Sequence, residues 1–432
     1  MVIANSESYL IIGAGCFGVS TARYLKATYP DSDVVLLDRV PFPSLAAAAH
    51  DLNKIIRTEY EDIMYMNLAI EAMNAWHDDP VLKPFFHETG VVWSVNPTRA
   101  QELLDNYEQT GHGHEAPELM SLEEARTRFP ILGHCEFQEA SNCLWNPKAG
   151  WGDAVAALQA AMQAAIESGV HYEVATVSKI DFDKDDVCRG VITAEGRTYR
   201  ADRVILCAGA HIPWLLADSA PNRPHLQARN RMTAAAALMC TFQADPSQQS
   251  KFVGAPVMVH PRGDVPAECI PPGSSSGLGL IKITHQFVYT HKVHHEASNQ
   301  EISIPPIQAQ YSAWSQDVPI TLKEKAVRAQ HMWFNNSIKG MKPVAYRLCW
   351  DLATPSDDWI ISPHPAKNLF IASGGSFHAW KFLPTIGKYV TQMLRGTLPQ
   401  EYTKRWAWDR SMPPVTTVYT PRIDLKDVPG WP

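Results

Sequence analysis

The feature that most constrains this chain is a glycine-rich turn set directly after a short apolar strand and directly before a helix. Tyr9-Leu-Ile-Ile12 runs into Gly13-Ala-Gly15-Cys-Phe-Gly18, and VSTARYLKATYP continues as a helix that Pro30 stops. Val34-Val-Leu-Leu37 then reads as a second buried strand ending on Asp38, 20 residues beyond Gly18. Strand, turn, helix, strand and acid in this order predict a βαβ unit that binds a dinucleotide. Gly13 permits the tight turn, Gly15 lets the backbone approach a pyrophosphate, and Gly18 lets helix and strand pack closely. The N–H groups of the first helical turn face the phosphates, where the helix dipole favours negative charge. Asp38 is expected to accept hydrogen bonds from ribose hydroxyls. The motif alone does not choose FAD over NAD.

Two later segments favour FAD. Residues 153–168 carry Val155, Leu158, Met162 and Ile166 at helical spacing, with Asp153 as the N-cap and Gly169 as the stop. A strand-like stretch around Tyr172–Val177 follows, and then Arg203-Val-Ile-Leu-Cys-Ala-Gly-Ala210. A strand ending in a small-residue turn so far along the chain closes the same sheet over the dinucleotide in many flavoproteins. Taken by itself, the ALQAAMQAA stripe is more often plain core.

Composition bounds the rest. The 432 residues exceed one ordinary core and predict two domains. Hydrophobic residues at 45% and charged residues at 19% indicate a globular chain. A net charge of -7 offers no basic field for nucleic acid. None of the eight cysteines forms CxxC, and their scatter does not look like a disulfide framework. The start MVIANSESYLIIGAG has no charged leader region, no apolar run approaches the ~18 residues of a membrane span, and the end is not an SKL-type address. A cytoplasmic monomer without a metal site or membrane partner is therefore expected. After about residue 400 the chain turns Pro- and Trp-rich and reads as a wrapping tail.

Residues 346–390, YRLCWDLATPSDDWIISPHPAKNLFIASGGSFHAWKFLPTIGKYV, resemble the C-terminal flavin segment of the sarcosine oxidase and fructosyl-amino-acid oxidase (amadoriase) family. Other segments agree in order: His50-Asp-Leu-Asn-Lys-Ile-Ile-Arg57, Ala75-Trp-His-Asp-Asp-Pro, Pro84-Phe-Phe-His-Glu-Thr-Gly90, Ala149-Gly-Trp-Gly152, Cys207-Ala-Gly-Ala210 and Leu280-Ile-Lys282. The resemblance spans about residues 8–400. It implies a FAD enzyme that takes a hydride, or its equivalent, from a carbon next to nitrogen. The imine then hydrolyses, and O2 reoxidises the flavin to give H2O2.

The same resemblance assigns roles. Cys349 matches the cysteine joined by a thioether to the flavin 8α carbon. Lys282 matches the lysine that activates O2, where a fixed cation stabilises negative charge developing on oxygen. From position alone, Lys282 is equally a strand lysine whose head snorkels to water. Arg57 and Lys381 match the pair that grips a substrate carboxylate, Arg as a bidentate fork and Lys as a point charge. Lys381 also suits the anionic edge of the reduced ring. His285 is a further catalytic candidate, and Asp351 a further lining residue. The cofactor site is expected to include Gly13, Gly15, Cys16, Phe17, Gly18, Asp38, Arg39, Ser44, Asn53, Lys54, Val177, Ala208, Gly209, Cys349, Gly375, Phe377, His378 and Lys381.

The implied fold is an α/β, two-domain flavoprotein: a Rossmann-like FAD-binding domain interleaved with an antiparallel-sheet substrate domain. Residues 1–85, 147–218 and 345–400 are assigned to the first, 86–146 and 219–344 to the second, and 401–432 to the tail. Two departures bear on substrate. Leu280 stands two residues before Lys282, where fructosyl-amino-acid oxidases carry a Glu that holds sugar hydroxyls. Phe377 and Ala379 stand where bacterial sarcosine oxidases have glycines. The favoured reading is an oxidase of a secondary amine or of an N-substituted or cyclic amino acid. A deglycating fructosyl-amino-acid oxidase, a flavin dehydrogenase and a non-catalytic FAD-binding protein remain alternatives.

Overall fold

The computed structural model describes residues 7–273, 279–307, 317–335, 337–411 and 422–432. Its first sheet has six strands in the order Ile360–Pro363, Leu369–Ser373, Arg203–Leu206, Ser8–Ile12, Asp33–Asp38 and His171–Val174. All neighbouring pairs are parallel except the edge strand Ile360–Pro363, which runs antiparallel. The central strands are apolar on both faces because both are covered, the pattern of a parallel sheet. Helices Cys16–Thr28, Ala154–Glu167 and Ile386–Arg395 pack together on one face. A three-stranded antiparallel sheet, Val177–Phe182, Cys188–Thr193 and Thr198–Tyr199, packs with the helix Ile212–Ser219 on the other.

Gly13 and Gly18 are required by close approach. Gly13 has φ +106°, and a Cβ there would lie 2.6 Å from the Cys207 carbonyl oxygen. A Cβ on Gly18 would lie 1.9 Å from the Gly13 oxygen, so helix and turn meet backbone to backbone. The helix runs Cys16–Thr28 and closes at Tyr29, just before Pro30. The expected helix at 153–168 spans Ala154–Glu167. Asp153 occupies its N-cap position without a side-chain capping bond and pairs with His87 instead.

The second sheet has nine strands and is mostly antiparallel, built around the long strands Thr233–Gln243, Leu280–Thr290 and Lys342–Ala353. Helix Ile320–Phe334 packs on one face, over a core that includes Ile281, Ile283, Trp333 and Phe334. The strand bearing Cys349 belongs to this sheet and not to the parallel one, so the expected 345–400 segment begins in the antiparallel layer. The end of the chain also returns to it, with Arg422–Asp424 pairing beside Val288–Thr290. Most of the Pro-rich stretch of the tail lies outside the described residues. Among the described residues, no helix is long and apolar enough to cross a membrane.

Candidate active site

The inner face of the second sheet and the carboxyl edge of the first enclose a cavity of about 770 Å³. From the dinucleotide unit and the strands beside it, Gly13, Gly15, Cys16, Phe17, Asp38, Arg39, Ser44, Val177, Ala208 and Gly209 line it. Lys54, Arg57, Lys282, Cys349, Asp351, Gly375, Phe377, His378 and Lys381 line it as well. Two residues expected at the cofactor are set back. Gly18 serves helix packing, and Asn53 contributes its carbonyl oxygen to Lys282 while its side-chain Oδ1 is buried without a partner among the described residues.

The cavity fits a dinucleotide on several counts. No atom lies within 4 Å of a Cβ built on Gly15 or on Gly209, so backbone at both turns is open to a phosphate. One Asp38 oxygen accepts the Ala14 N–H at 2.8 Å, anchoring the carboxylate at the end of its strand. The indole N–H groups of Trp350 and Trp380, both cavity-lining residues, are buried without partners among the described residues. Buried polar atoms are seldom left so. The residues present therefore fit a bound FAD.

Register explains which side chains reach the cavity from the second sheet. Cross-strand partners share a face. Cys349 pairs Ala237, Met239 pairs Thr284, Thr284 pairs Glu268, and Lys282 pairs Ile270; all seven line the cavity. His285 sits one residue out of phase. It faces Leu238 and Ala267, stacks on Phe287, and is pushed down to about 3 by burial and by Lys325 and Arg328. The catalytic expectation for His285 fails on the two-residue period of the strand, since its ring lies on the opposite face.

Lys282 is held from across the cavity. Its Nζ donates to Asp51 Oδ2 at 2.9 Å and to the Asn53 carbonyl, and Lys54 Nζ donates to the same Asp51 oxygen at 3.0 Å. The Asp51 and Lys282 side chains are 0% and 3% exposed. Burial alone would raise the Asp51 carboxyl, but Lys282, Lys54 and Arg347 outweigh it and hold it well below the usual carboxylate range. Burial lowers the Lys282 ammonium despite Asp51, whereas Asp51 overcomes burial at Lys54 and raises it. Arg347 ties the same loop to the sheet by donating to the carbonyls of His50 and Ala47.

A second group surrounds Tyr60. Lys381 Nζ donates to Tyr60 Oη at 2.8 Å and to the His378 carbonyl at 3.2 Å. The Arg57 guanidinium lies 4.2 Å from the Trp93 ring centroid and 5.3 Å from that of Tyr60, and it donates to the Glu59 carbonyl. Burial and the nearby Arg57 push Lys381 well below the usual lysine range. Burial and Lys381 push His378 down to about 3, so its ring is neutral. Arg57 and Lys381, 324 residues apart in sequence, thus open onto one cavity. Burial also raises the Asp351 carboxyl, which accepts the Phe377 N–H at 2.8 Å and shapes that loop.

Sequence reasoning passed over Asp51, Tyr60, Trp93, Thr284 and Glu268. Counting by twos from Lys282 would have named Thr284, and a lone acid within the apolar run VPAECIPP marks Glu268. Asp51 was in plain view in HDLNKIIR, but nothing local reveals that its partner is 231 residues away.

A match over residues 8–393 to the model of the FAD dependent oxidoreductase (DAO) family fits this cavity, and the chain belongs to that family of FAD enzymes. It is 27% identical to the L-saccharopine oxidase of Schizosaccharomyces pombe, covering 93% of both chains. It is 23% identical to the monomeric sarcosine oxidase of a Bacillus species, covering 89% of this chain and 91% of that one. Among solved structures, fructosyl peptide oxidase from E. terrenum superposes with a TM-score of 0.85 at 27% identity, covering 99% and 98%. Fructosamine oxidase (Amadoriase II) from Aspergillus fumigatus gives 0.81 at 25%, covering 100% and 98%. The Rossmann-like sheet with its antiparallel companion is the architecture these structures share with this chain.

The Asp51 arrangement carries a direct test. Removing one partner of a buried charge group costs about 3–5 kcal/mol. Asp51→Asn is expected to destabilise the protein by that order in denaturant unfolding, because two lysines lose their counter-charge. The depressed Asp51 pKa contributes stability that is present above the ordinary carboxylate range and is lost as pH falls through the folded value. That part of the acid dependence should vanish in Asp51→Asn. A loss below 1 kcal/mol would show that the three charges are not coupled.

Proposed function

We propose that this enzyme oxidises the C–N bond of a carboxylate-bearing secondary amine, N-substituted or cyclic amino acid, with O2 as electron acceptor. Bound FAD would supply the two-electron acceptor, with O2 as the final oxidant. The substrate leaves as an imine, which water hydrolyses, and the electrons and two protons appear in H2O2. The convergence of Arg57 and Lys381 on one cavity carries this reading. A neutral amine alone would leave that pair without an anion, whereas a carboxylate fits both a guanidinium fork and an ammonium.

The chain's own groups divide the work. Arg57, fixed against Trp93, orients the carboxylate. Burial and Arg57 disfavour the Lys381 ammonium, and an arriving carboxylate would favour it. Tyr60 accepts the Lys381 N–H and holds that head in place. Lys282, kept beside Asp51, is the cation presented to O2. Cys349 lines the same cavity as Lys282 and lies near enough for its charge to be felt there, and this supports a thioether to FAD at that sulfur.

The relatives include oxidases named for saccharopine and sarcosine as well as deglycating enzymes. The absence of a carboxylate at Leu280, which lies on the Lys282 face of its strand, favours the amino-acid side of that range over a sugar adduct. A sugar hydroxyl left without a charged acceptor costs roughly 1.5–3 kcal/mol, about 10- to 150-fold in affinity.

The cofactor reading is tested by acid precipitation. Yellow colour is expected in the pellet of the wild type and in the supernatant for Cys349→Ala; freely extracted wild-type flavin would overturn the linkage. The substrate reading is tested by H2O2-coupled kcat/KM values for N-methyl and cyclic amino acids against fructosyl-glycine at equal O2. Preference for the amino acids is expected, with Arg57→Ala reducing it at least 10-fold. Preference for fructosyl-glycine would refute the Leu280 argument, and turnover of amines without a carboxylate, unaffected by Arg57→Ala, would refute the clamp.

A further inference from the structure

The cavity contains a carboxylate that the carboxylate clamp does not use. Glu268 lies on strand Ala267–Ile270, pairs with Thr284, and opens into the same cavity as Arg57 and Lys381. Its strand is otherwise apolar, with Ala267, Cys269 and Ile270 buried. One side-chain bond reaches it from the described residues: Gln286 Nε2 donates to Oε1 at 3.0 Å. Gln286 is itself buried, and its Oε1 has no partner among the described residues. The Gln286 amide thus meets Glu268 through one carboxylate oxygen, Oε1.

Glu268 is not the counter-ion of the clamp. Lys381 directs its bonds to Tyr60 and to the His378 carbonyl, and Arg57 to the Glu59 carbonyl and the Trp93 face. Glu268 nevertheless lies near enough to Lys381 for its charge to be felt there. The site thus presents Arg57 and Lys381 and, on a strand of the second sheet, one carboxylate that among the described residues is bonded by a single neutral side-chain donor. A substrate matching only Arg57 and Lys381 would set an apolar chain against the Glu268 carboxylate, and covering a charged group without supplying a donor is costly.

We infer that Glu268 is a specificity-determining residue that selects substrates carrying a second, cationic group besides the clamped carboxylate and the oxidised amine. The inference rests on the carboxylate clamp proposed above. The ligand class is an N-substituted amino acid with a primary ammonium further along the same chain, its charge paired with Glu268 and its carboxylate with Arg57 and Lys381. An uncharged hydroxyl donor would gain less, because the ammonium bond is assisted by charge on both sides.

Binding without turnover tests this. The probes are thioethers that cannot undergo C–N oxidation in the clamp: (2-aminoethylthio)acetate, (3-aminopropylthio)acetate and (4-aminobutylthio)acetate, each against its chain-matched alkylthioacetate. Dissociation constants come from perturbation of the visible spectrum of the holoenzyme. The expected result is that at least one aminoalkyl probe binds 10-fold or more tighter than its alkyl match. Glu268→Gln should reduce that ratio to about one, with alkylthioacetate binding showing that the variant is folded. Glu268→Asp should recover part of the preference, with the best probe one methylene longer. Equal binding of each matched pair by the wild type, or a preference surviving in Glu268→Gln, overturns the role of Glu268 and leaves the clamp standing. Failure of every alkylthioacetate to bind refutes the clamp and the inference with it.

Discussion

The buried carboxylate of Asp51 is the point on which the site depends. It lies on the segment that follows the second strand of the dinucleotide unit, yet its charge is matched by Lys282, which belongs to the opposite sheet. Lys54 completes the group. Taking three charges out of water is costly, and the arrangement persists because each is paired and hydrogen-bonded. The ion pair joins the two layers and sets a cation at the cavity wall. In the proposed reaction it contributes to stability and to the chemistry through the same atoms.

From that constraint the rest of the active end follows by strand geometry. The Lys282 strand presents Thr284 two residues on, its neighbours present Glu268, Met239 and Ala237, and the strand beyond presents Cys349 on the same face. The alternate residues, Ile281 and Ile283 among them, pack under the helix Ile320–Phe334. One side of the sheet is thus a core and the other a reaction chamber. The clamp comes from elsewhere: Arg57 from the end of Asn53–Ile56, and Lys381 from the turn before the helix Ile386–Arg395. Tyr60 lies between them and bonds one while stacking near the other.

Much of this was legible in the sequence, for stated reasons. The Gly13–Gly18 turn is local, and Gly13 and Gly18 are demanded by backbone contacts that no other residue allows. The late strand Arg203–Leu206 was readable as an apolar run, and it pairs with the first strand as expected of the closing strand. Features that depend on distant partners were not legible. The Cys349 segment reads as part of the flavin half, but its strand pairs with Thr233–Gln243 in the other sheet. His285 stood among the catalytic candidates because a histidine three residues from a lysine carries no mark of which face it will take. Asp153 is the N-cap its sequence suggested, but its side chain bonds His87, 66 residues earlier, rather than the helix.

The central claim is that Lys282, fixed by Asp51, is the cation that makes the reduced enzyme react with O2. The most direct measurement separates the two half-reactions by stopped-flow spectroscopy, comparing wild type with Lys282→Met. Flavin reduced anaerobically is mixed with O2 in one experiment, and oxidised flavin with amine substrate in the other. Reoxidation slowed by orders of magnitude, with reduction altered far less, is the predicted result. Equal losses in both half-reactions would contradict it and leave Lys282 as a structural or substrate-binding residue.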